Sequence, residues 1–258
     1  MRLENKVVLV TASTRGIGLA IVKACAEEGA IVYMAARNEE RARGVIDELA
    51  QKGQRVHYVF NDATIAESFS TMIDDVVAKE GRIDVLVNNF GTSDPRQDRQ
   101  IANTDVDYFT ETLNVNVNSV FRASQRAIKQ MREQESGGSI INISSIGGAV
   151  PDISQIAYGT SKAAINYLTQ LIAVHEARHG IRCNAIMPGM TATDAVKNNL
   201  NDAFMHVFMK STPTGRMGEP EEIAQAAVYF ASDAAAYTTG QILAVSGGFG
   251  LATPVYGD

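Results

Sequence analysis

One segment constrains this chain more than any other. A short apolar run, Lys6-Val-Val-Leu-Val10, passes directly into Thr11-Ala-Ser-Thr-Arg-Gly-Ile-Gly18 and then into the helical spacing of Leu19, Ile21, Val22, Ala24, Cys25 and Ala26. Strand, glycine turn and helix in that order bring backbone N–H groups and the positive end of a helix macrodipole to one point, an arrangement suited to a dinucleotide pyrophosphate. The same alternation continues downstream. Apolar strand candidates at Ala30 to Arg37, Val56 to Phe60, Ile83 to Asn88, Ser139 to Ser144, Ile181 to Met187 and Gln241 to Val245 are separated by helical stretches. This pattern predicts an α/β fold, a Rossmann-like doubly wound parallel sheet with helices on both faces. With 258 residues, 45% of them hydrophobic, and no Pro/Gly/Ser-rich linker, a single domain spanning 1–258 is expected. Its ligand site should lie at the carboxyl ends of the strands, where Asn88, Ser145 and Pro188 fall.

A second constellation carries chemistry. Tyr158 and Lys162 belong to Tyr-Gly-Thr-Ser-Lys, so on a helix they stand at i and i+4 and share a face. An ammonium beside a phenol favours the phenolate, so Tyr158 is expected to titrate below its ordinary value of about 10 and to serve as acid or base. Ser145 supplies a hydroxyl to the same group. Read singly, each has a bland alternative: a solvated helix face for the Tyr/Lys pair, and a turn at a strand end for Ser145.

Thr11…Gly16-Ile-Gly18, Asp62, Asn88-Asn-Phe-Gly91, Asn116, Ser145, Tyr158-x-x-x-Lys162, Pro188-Gly189…Thr193 and Ser246-Gly-Gly248 occur in one order along the chain. In that order they resemble the short-chain dehydrogenase/reductase family over essentially the whole length. The resemblance implies that Tyr158 exchanges a proton with the substrate oxygen and that Ser145 hydrogen-bonds that oxygen. It also implies that Lys162 holds the nicotinamide ribose while lowering the phenol pKa, and that Asn116 supports a water leading to Lys162. Asn116 lies between Asn114 and Asn118, and a capping role is its alternative. Cofactor contacts are implied at Thr11, Ser13, Thr14, Arg15, Gly16, Ile17, Gly18, Arg37, Asp62, Ala63, Asn89, Gly91, Tyr158, Lys162, Pro188, Gly189, Thr191 and Thr193. Two positions depart from the family pattern. Ala12 replaces a usual glycine and should be tolerated at negative φ but strained in a left-handed turn. Phe90 replaces a usual alanine, either to pack in the core or to narrow the floor near adenosine or substrate.

Charge argues for the type of dinucleotide. The second strand ends in Ala36, where an NAD-selective protein usually places an acidic group against the ribose 2′-hydroxyl, and Arg37 follows it. Arg15 in the glycine turn would face the same spot, and two guanidinium groups suit a 2′-phosphate. NADP(H) is therefore the expected cofactor. The net charge of −6 and a pI near 5.3 disfavour nucleic acid and anionic membrane as partners. Cys25 and Cys183 look like small buried hydrophobes, and no Cys/His spacing suggests a metal. The first strand begins almost at the N-terminus with no signal peptide, and no apolar run approaches the roughly 20 residues of a membrane span, so a cytoplasmic location is expected.

The segment from Met190 to Met217 bears on substrate. Val196, Leu200, Phe204, Met205, Val207, Phe208 and Met209 are spaced as one apolar helical stripe, which either packs plainly on the sheet or, as the family resemblance implies, forms a substrate lid at about 190–217. Methionine adapts to irregular apolar surfaces. Within the family, Thr11-Ala-Ser-Thr-Arg15, Ala35-Ala-Arg37, Asn88-Asn-Phe-Gly91, Val150-Pro-Asp-Ile-Ser154 and Gly247-Gly-Phe-Gly…Thr253-Pro254 resemble bacterial NADP-dependent hydroxysteroid dehydrogenases of bile acids, the 7α type foremost. Alternatives are a 12α- or 3α-hydroxysteroid, a 3-oxoacyl or other carbonyl substrate, and an NADP(H)-binding regulator without turnover. Arg96 and Arg99 are candidates to meet a bile-acid carboxylate. The resemblance also implies a homotetramer built on helices at about 104–131 and 155–179.

Overall fold

The computed structural model describes residues 1–134, 136–151, 155–199 and 202–251, without the side chains of 195, 198, 199 and 202–204. Asp152, Ile153, Ser154, Leu200, Thr253 and Pro254, and the Phe204 side chain, lie outside that description. Seven strands, β1 (Val7–Thr11), β2 (Ile31–Ala36), β3 (Arg55–Phe60), β4 (Val85–Asn88), β5 (Gly138–Ile143), β6 (Ile181–Pro188) and β7 (Ile242–Val245), form one sheet in the order β3-β2-β1-β4-β5-β6-β7. Every pairing is parallel. Each expected strand is present within one or two residues of its expected bounds.

Burial on both faces explains why the strands read as unbroken apolar runs rather than as alternating ones. Val8 and Val10 of β1, Val32 and Met34 of β2 and Val85 and Val87 of β4 pack into one core. That core is covered by α1 (Gly16–Glu27), α2 (Glu39–Ala50) and α8 (Pro220–Ala231), through Ile21, Val22, Leu49, Val228 and Phe230. The intervening Val7, Leu9, Tyr33, Ala35 and Leu86 face the other way. They meet α3 (Ser68–Glu80), α4 (Val106–Glu133) and α5 (Ile156–Glu176) through Phe69, Met72, Ile73, Ala123, Ala127 and Ile172. Two shorter helices, α6 (Asp194–Asn199) and α7 (Asp202–Lys210), interrupt the chain between β6 and α8.

The second core contains a buried polar line that fixes α4 and α5 against the sheet. The Asn88 side-chain amide donates to Ser124 Oγ at 3.1 Å and to Asn142 Oδ1 at 2.9 Å, and Asn142 Nδ2 donates to Thr169 Oγ1 at 2.8 Å. Buried polar groups are tolerated when so partnered, and their geometry then allows one helix placement. A bidentate pair between Arg132 of α4 and the buried carboxylate of Glu176 of α5, at 2.8 and 2.7 Å, joins the far ends of the two helices. The strand order reverses between β1 and β4, so a crevice opens above their carboxyl ends.

Candidate active site

The glycine turn is built on β1. Ala12 has φ +51°, the left-handed conformation in which its methyl is strained, so the benign case expected for negative φ does not hold. Gly18 has no room for a side chain: a Cβ there would lie 2.5 Å from Asn89 Nδ2 and 2.7 Å from the Ala12 carbonyl oxygen. Asn89 in turn donates from Nδ2 to the Thr11 and Ala12 carbonyls at 3.0 and 3.1 Å. Thr11 Oγ1 accepts from the N–H groups of Asn89 and Phe90, both at 2.9 Å. Thr11 is thus a buried brace between two turns, and Ser13 is buried too, with its hydroxyl 3.5 Å from the Ala35 carbonyl. Arg15 stands at the N-cap of α1 in extended conformation and makes no side-chain cap, so Gly16, Ile17 and Gly18 start a helix whose first amides remain available to an anion.

Around this turn the charged residues divide into used and unused. Arg15 and Arg37 are exposed, and neither guanidinium has a hydrogen bond or salt bridge among the described residues. Asp62, half-buried just after β3, accepts at Oδ1 from the N–H and hydroxyl of Thr64, both at 2.9 Å. Those bonds, with Arg37 nearby, hold its carboxyl below the usual carboxylate range. Ala63 is half-buried beside it, at the edge of the second core. Phe90 takes the packing role, since it lies on that core with its ring 5.6 Å from that of Phe69.

The proton-handling group sits at the carboxyl end of β5 and on the first turns of α5. Ser145 Oγ accepts from Gly147 N–H at 3.1 Å and stands near enough to Tyr158 to act on its phenol. Burial pushes the Tyr158 phenol up and the Ser145 hydroxyl pulls it the other way. The expected depression by Lys162 is not among the effects on Tyr158. The Lys162 ammonium is turned to the Ile143 carbonyl at 2.8 Å and lies over the Tyr158 ring, 5.5 Å from its centroid, in surroundings buried enough that it gives up its proton before the raised phenol does. Burial instead lowers Lys162 itself to about 8. Gly91 lies against this ammonium, and a Cβ there would sit 2.9 Å from Nζ. Asn116, fully buried in α4, accepts at Oδ1 from Thr92 N–H and donates from Nδ2 to the Thr92 carbonyl, both at 2.9 Å, and to Ser161 Oγ at 3.0 Å. Both amide protons of Asn116 are therefore spent on protein partners.

On the far wall, Pro188 ends β6, Gly189 donates its N–H to the Val245 carbonyl, and Thr191 pairs with Gly218. The Thr193 methyl lies over Gly16, so the loop after β6 closes on the glycine turn. Beyond it, Val196 lies in α6 and Met205, Val207, Phe208 and Met209 lie in α7. Val207 points outward at 65% exposure, while Phe208 stacks on Phe249 at 4.5 Å with a 6° interplanar angle. Arg96 is exposed and pairs with Asp94 through two bonds of 3.0 Å. The Arg99 side chain donates to the Arg96 carbonyl at 2.7 Å. One residue at the site escaped the sequence reading. Asp98 is buried against the start of α5, and no motif marks it.

A glycine turn braced to a second strand end, and a Ser–Tyr–Lys group on the neighbouring strand and helix, thus share one crevice. A family described as Enoyl-(Acyl carrier protein) reductase matches residues 11–250. The 7α-hydroxysteroid dehydrogenase of Clostridium sardiniense is 48% identical over 257 residues, covering 100% of this chain and 98% of the relative. The chain belongs to the short-chain dehydrogenase/reductase family. The enzyme of the same name from Paraclostridium sordellii is also 48% identical, over 100% of this chain and 96% of its own. Among solved structures, a gluconate 5-dehydrogenase from Burkholderia cenocepacia in complex with NADP and tartrate is 31% identical with a TM-score of 0.90, covering 98% of each chain. As a family member the chain is an oxidoreductase. Among the described residues no helix is long and apolar enough to cross a membrane.

Two predictions follow from this geometry. Ala12→Gly relieves a left-handed methyl and should stabilise the protein by about 1 kcal/mol in urea unfolding. Lys162 loses its proton near 8 in the folded state and near 10.5 when unfolded, so the unfolded chain binds more protons between those values. The cost of holding the buried ammonium is complete below 8 and is relieved as pH rises from 8 towards 10.5. Urea unfolding at pH 7 and pH 9.5 should therefore show a relative gain at the higher pH in the parent protein that is absent from Lys162→Met.

Proposed function

We propose that the chain is an NADP(H)-dependent dehydrogenase that reversibly oxidises the 7α-hydroxyl of a bile-acid steroid. The observation that carries the reading is the joint presence, around one crevice, of the Ser145–Tyr158–Lys162 group and of the Arg15 and Arg37 guanidiniums, which have no partner among the described residues, in a chain 48% identical to the Clostridium sardiniense and Paraclostridium sordellii enzymes. The residues fit a dinucleotide: Gly18 keeps the floor of the turn free of a Cβ, and the first amides of α1 are uncapped by side chains. The cofactor, when bound, accepts or supplies the hydride.

This chain's residues manage everything else. The amides of Gly16, Ile17 and Gly18 would receive the pyrophosphate together with Thr14 and Thr193. Arg15 and Arg37 would hold the 2′-phosphate, and Asp62, Ala63, Asn89 and Gly91 the adenosine and ribose. Pro188, Gly189 and Thr191 would hold the nicotinamide. Ser145 and Tyr158 hold the substrate oxygen between two hydroxyls, and Tyr158 takes its proton as the C–H bond breaks. Lys162, charged below about pH 8, favours the phenolate form of Tyr158 that takes up this proton, and would hold the ribose. Asn116 fixes the Thr92 backbone and Ser161 around this group.

Residues 190–217 are assigned as a substrate lid, with the stacked Phe208 and Phe249 forming an apolar wall suited to a broad, flat ring system. Exposed apolar residues on α4 (Phe121) and α5 (Tyr167, Leu171, Val174) support assembly through these helices into a homotetramer. A cytoplasmic location agrees with two buried free thiols.

The test is NADPH formation from NADP⁺ with bile acids that differ only in carrying or lacking the 7α-hydroxyl. Turnover should require that hydroxyl, and equal rates with and without it would discard the assignment. In the same assay Tyr158→Phe should lose activity by about 10²-fold or more while still binding NADPH. Arg37→Asp should move the NADP⁺/NAD⁺ preference ratio towards NAD⁺ by about tenfold or more, since it replaces a cation beside the phosphate with an anion. An unchanged ratio would show that another residue selects the cofactor.

A further inference from the structure

The helix that carries Tyr158 and Lys162 begins without an ordinary cap. Gln155, its N-cap residue, is left-handed at φ +56° and its side chain makes no capping hydrogen bond. The missing acceptors come instead from the loop after β4. Asp98, 1% exposed, accepts from Ala157 N–H at 2.8 Å through Oδ1 and from Tyr158 N–H at 2.9 Å through Oδ2. Ser93 Oγ donates to the same Oδ2 at 3.0 Å. The backbone continues the junction, as the Asp98 and Arg99 carbonyls accept from Gln155 and Ile156 N–H at 3.3 Å.

Asp98 makes no ion pair among the described residues, so its buried charge is balanced by these three donors and by the positive end of α5. Such an arrangement holds only at one distance and angle, because a carboxylate left without those donors is costly to bury. Behind the first turn, α5 is fixed independently. Ser161 Oγ donates to the Tyr158 carbonyl at 2.7 Å and accepts from Asn116, and Ser144 Oγ donates to the Lys162 carbonyl at 3.2 Å. Apart from the Tyr158 carbonyl these contacts lie behind the turn that bears the phenol, whose Ala157 and Tyr158 amides are held by Asp98.

We propose that Asp98 is a positioning residue for the reaction, a buried carboxylate that sets the height and tilt of the first turn of α5 and so brings Tyr158 to Ser145 and the substrate oxygen. The inference rests on Tyr158 as the proton-exchanging group. It assigns a function to a loop residue that touches neither substrate nor cofactor.

The experiment compares Asp98→Asn, Asp98→Ala and Ser93→Ala in the full chain. A displacement of order 1 Å at a reacting group costs about 10²-fold, so kcat of Asp98→Ala should fall by about that factor, with KM and NADPH affinity kept within about threefold. Asp98→Asn, which retains one acceptor, should lie between it and the parent. Ser93→Ala, which leaves both amide bonds in place, should stay within about threefold of the parent. Amide exchange at Ala157 and Tyr158 should accelerate about tenfold or more in both Asp98 variants. A folded Asp98→Ala with a lower Tm but parental kcat would overturn the proposal and leave Asp98 as a stabilising cap only. If the alanine variant does not fold, Asp98→Asn decides in the same way. Amide exchange needs no substrate, which separates the two readings. If the parent leaves bile acids untouched, the steroid assignment fails, and kcat is then compared on a simple secondary alcohol.

Discussion

The Thr11 hydroxyl ties the end of β1 to the turn after β4 by accepting from two consecutive amides, and the crevice of this protein opens between those two strand ends. Asn89 returns the tie by donating to the Thr11 and Ala12 carbonyls. With the two turns locked together, Gly18 must stay bare and Ala12 is forced into a left-handed conformation that its methyl resists. Local strain of this size persists where surrounding contacts over-determine the backbone. Everything that a ligand would meet on that side, from Arg15 to Gly91, takes its position from this brace.

The opposite wall is organised by α5. Its long axis is pinned to the sheet by the Asn88–Asn142–Thr169 line and to α4 by Arg132 and Glu176. A tyrosine four residues before a lysine becomes useful only when the helix is held this firmly, because the phenol must reach a serine on a different element. The electrostatics of the site are correspondingly local. The chain is acidic as a whole, yet the two guanidiniums beside the glycine turn have no partner among the described residues, while Arg96, in the loop after β4, pairs with Asp94.

Much of this was legible in the sequence, for an identifiable reason. Strands buried on both faces give uninterrupted apolar runs, so β1 to β7 stand out, and the Tyr158/Lys162 spacing follows from helical geometry alone. What escaped depends on partners far along the chain. The left-handed φ of Ala12 comes from the turn after β4, and Phe90 finds its place only when Phe69 of α3 arrives beside it. The direction of the Lys162 ammonium is set by the Ile143 carbonyl, which no spacing rule anticipates. Asp98 belongs to no motif, and its two amide partners lie 59 and 60 residues further along the chain.

The sheet order also dictates how the chain must come together. Val8 of β1 pairs with Val32 on one side and with Val85 on the other, so the first strand of the chain lies inside the sheet with a partner on each edge. As the polypeptide emerges from its N-terminus, β1, β2 and β3 can assemble from neighbouring segments, whereas β4 must find the remaining edge of β1 after a long excursion. Parallel pairing of this kind delays its reward until the loop has closed, which makes such sheets slow to form and exposes apolar runs in the meantime. The free side of β1 is then a waiting template, and the arrival of β4 both completes the fold and first creates the crevice in which the chemistry takes place.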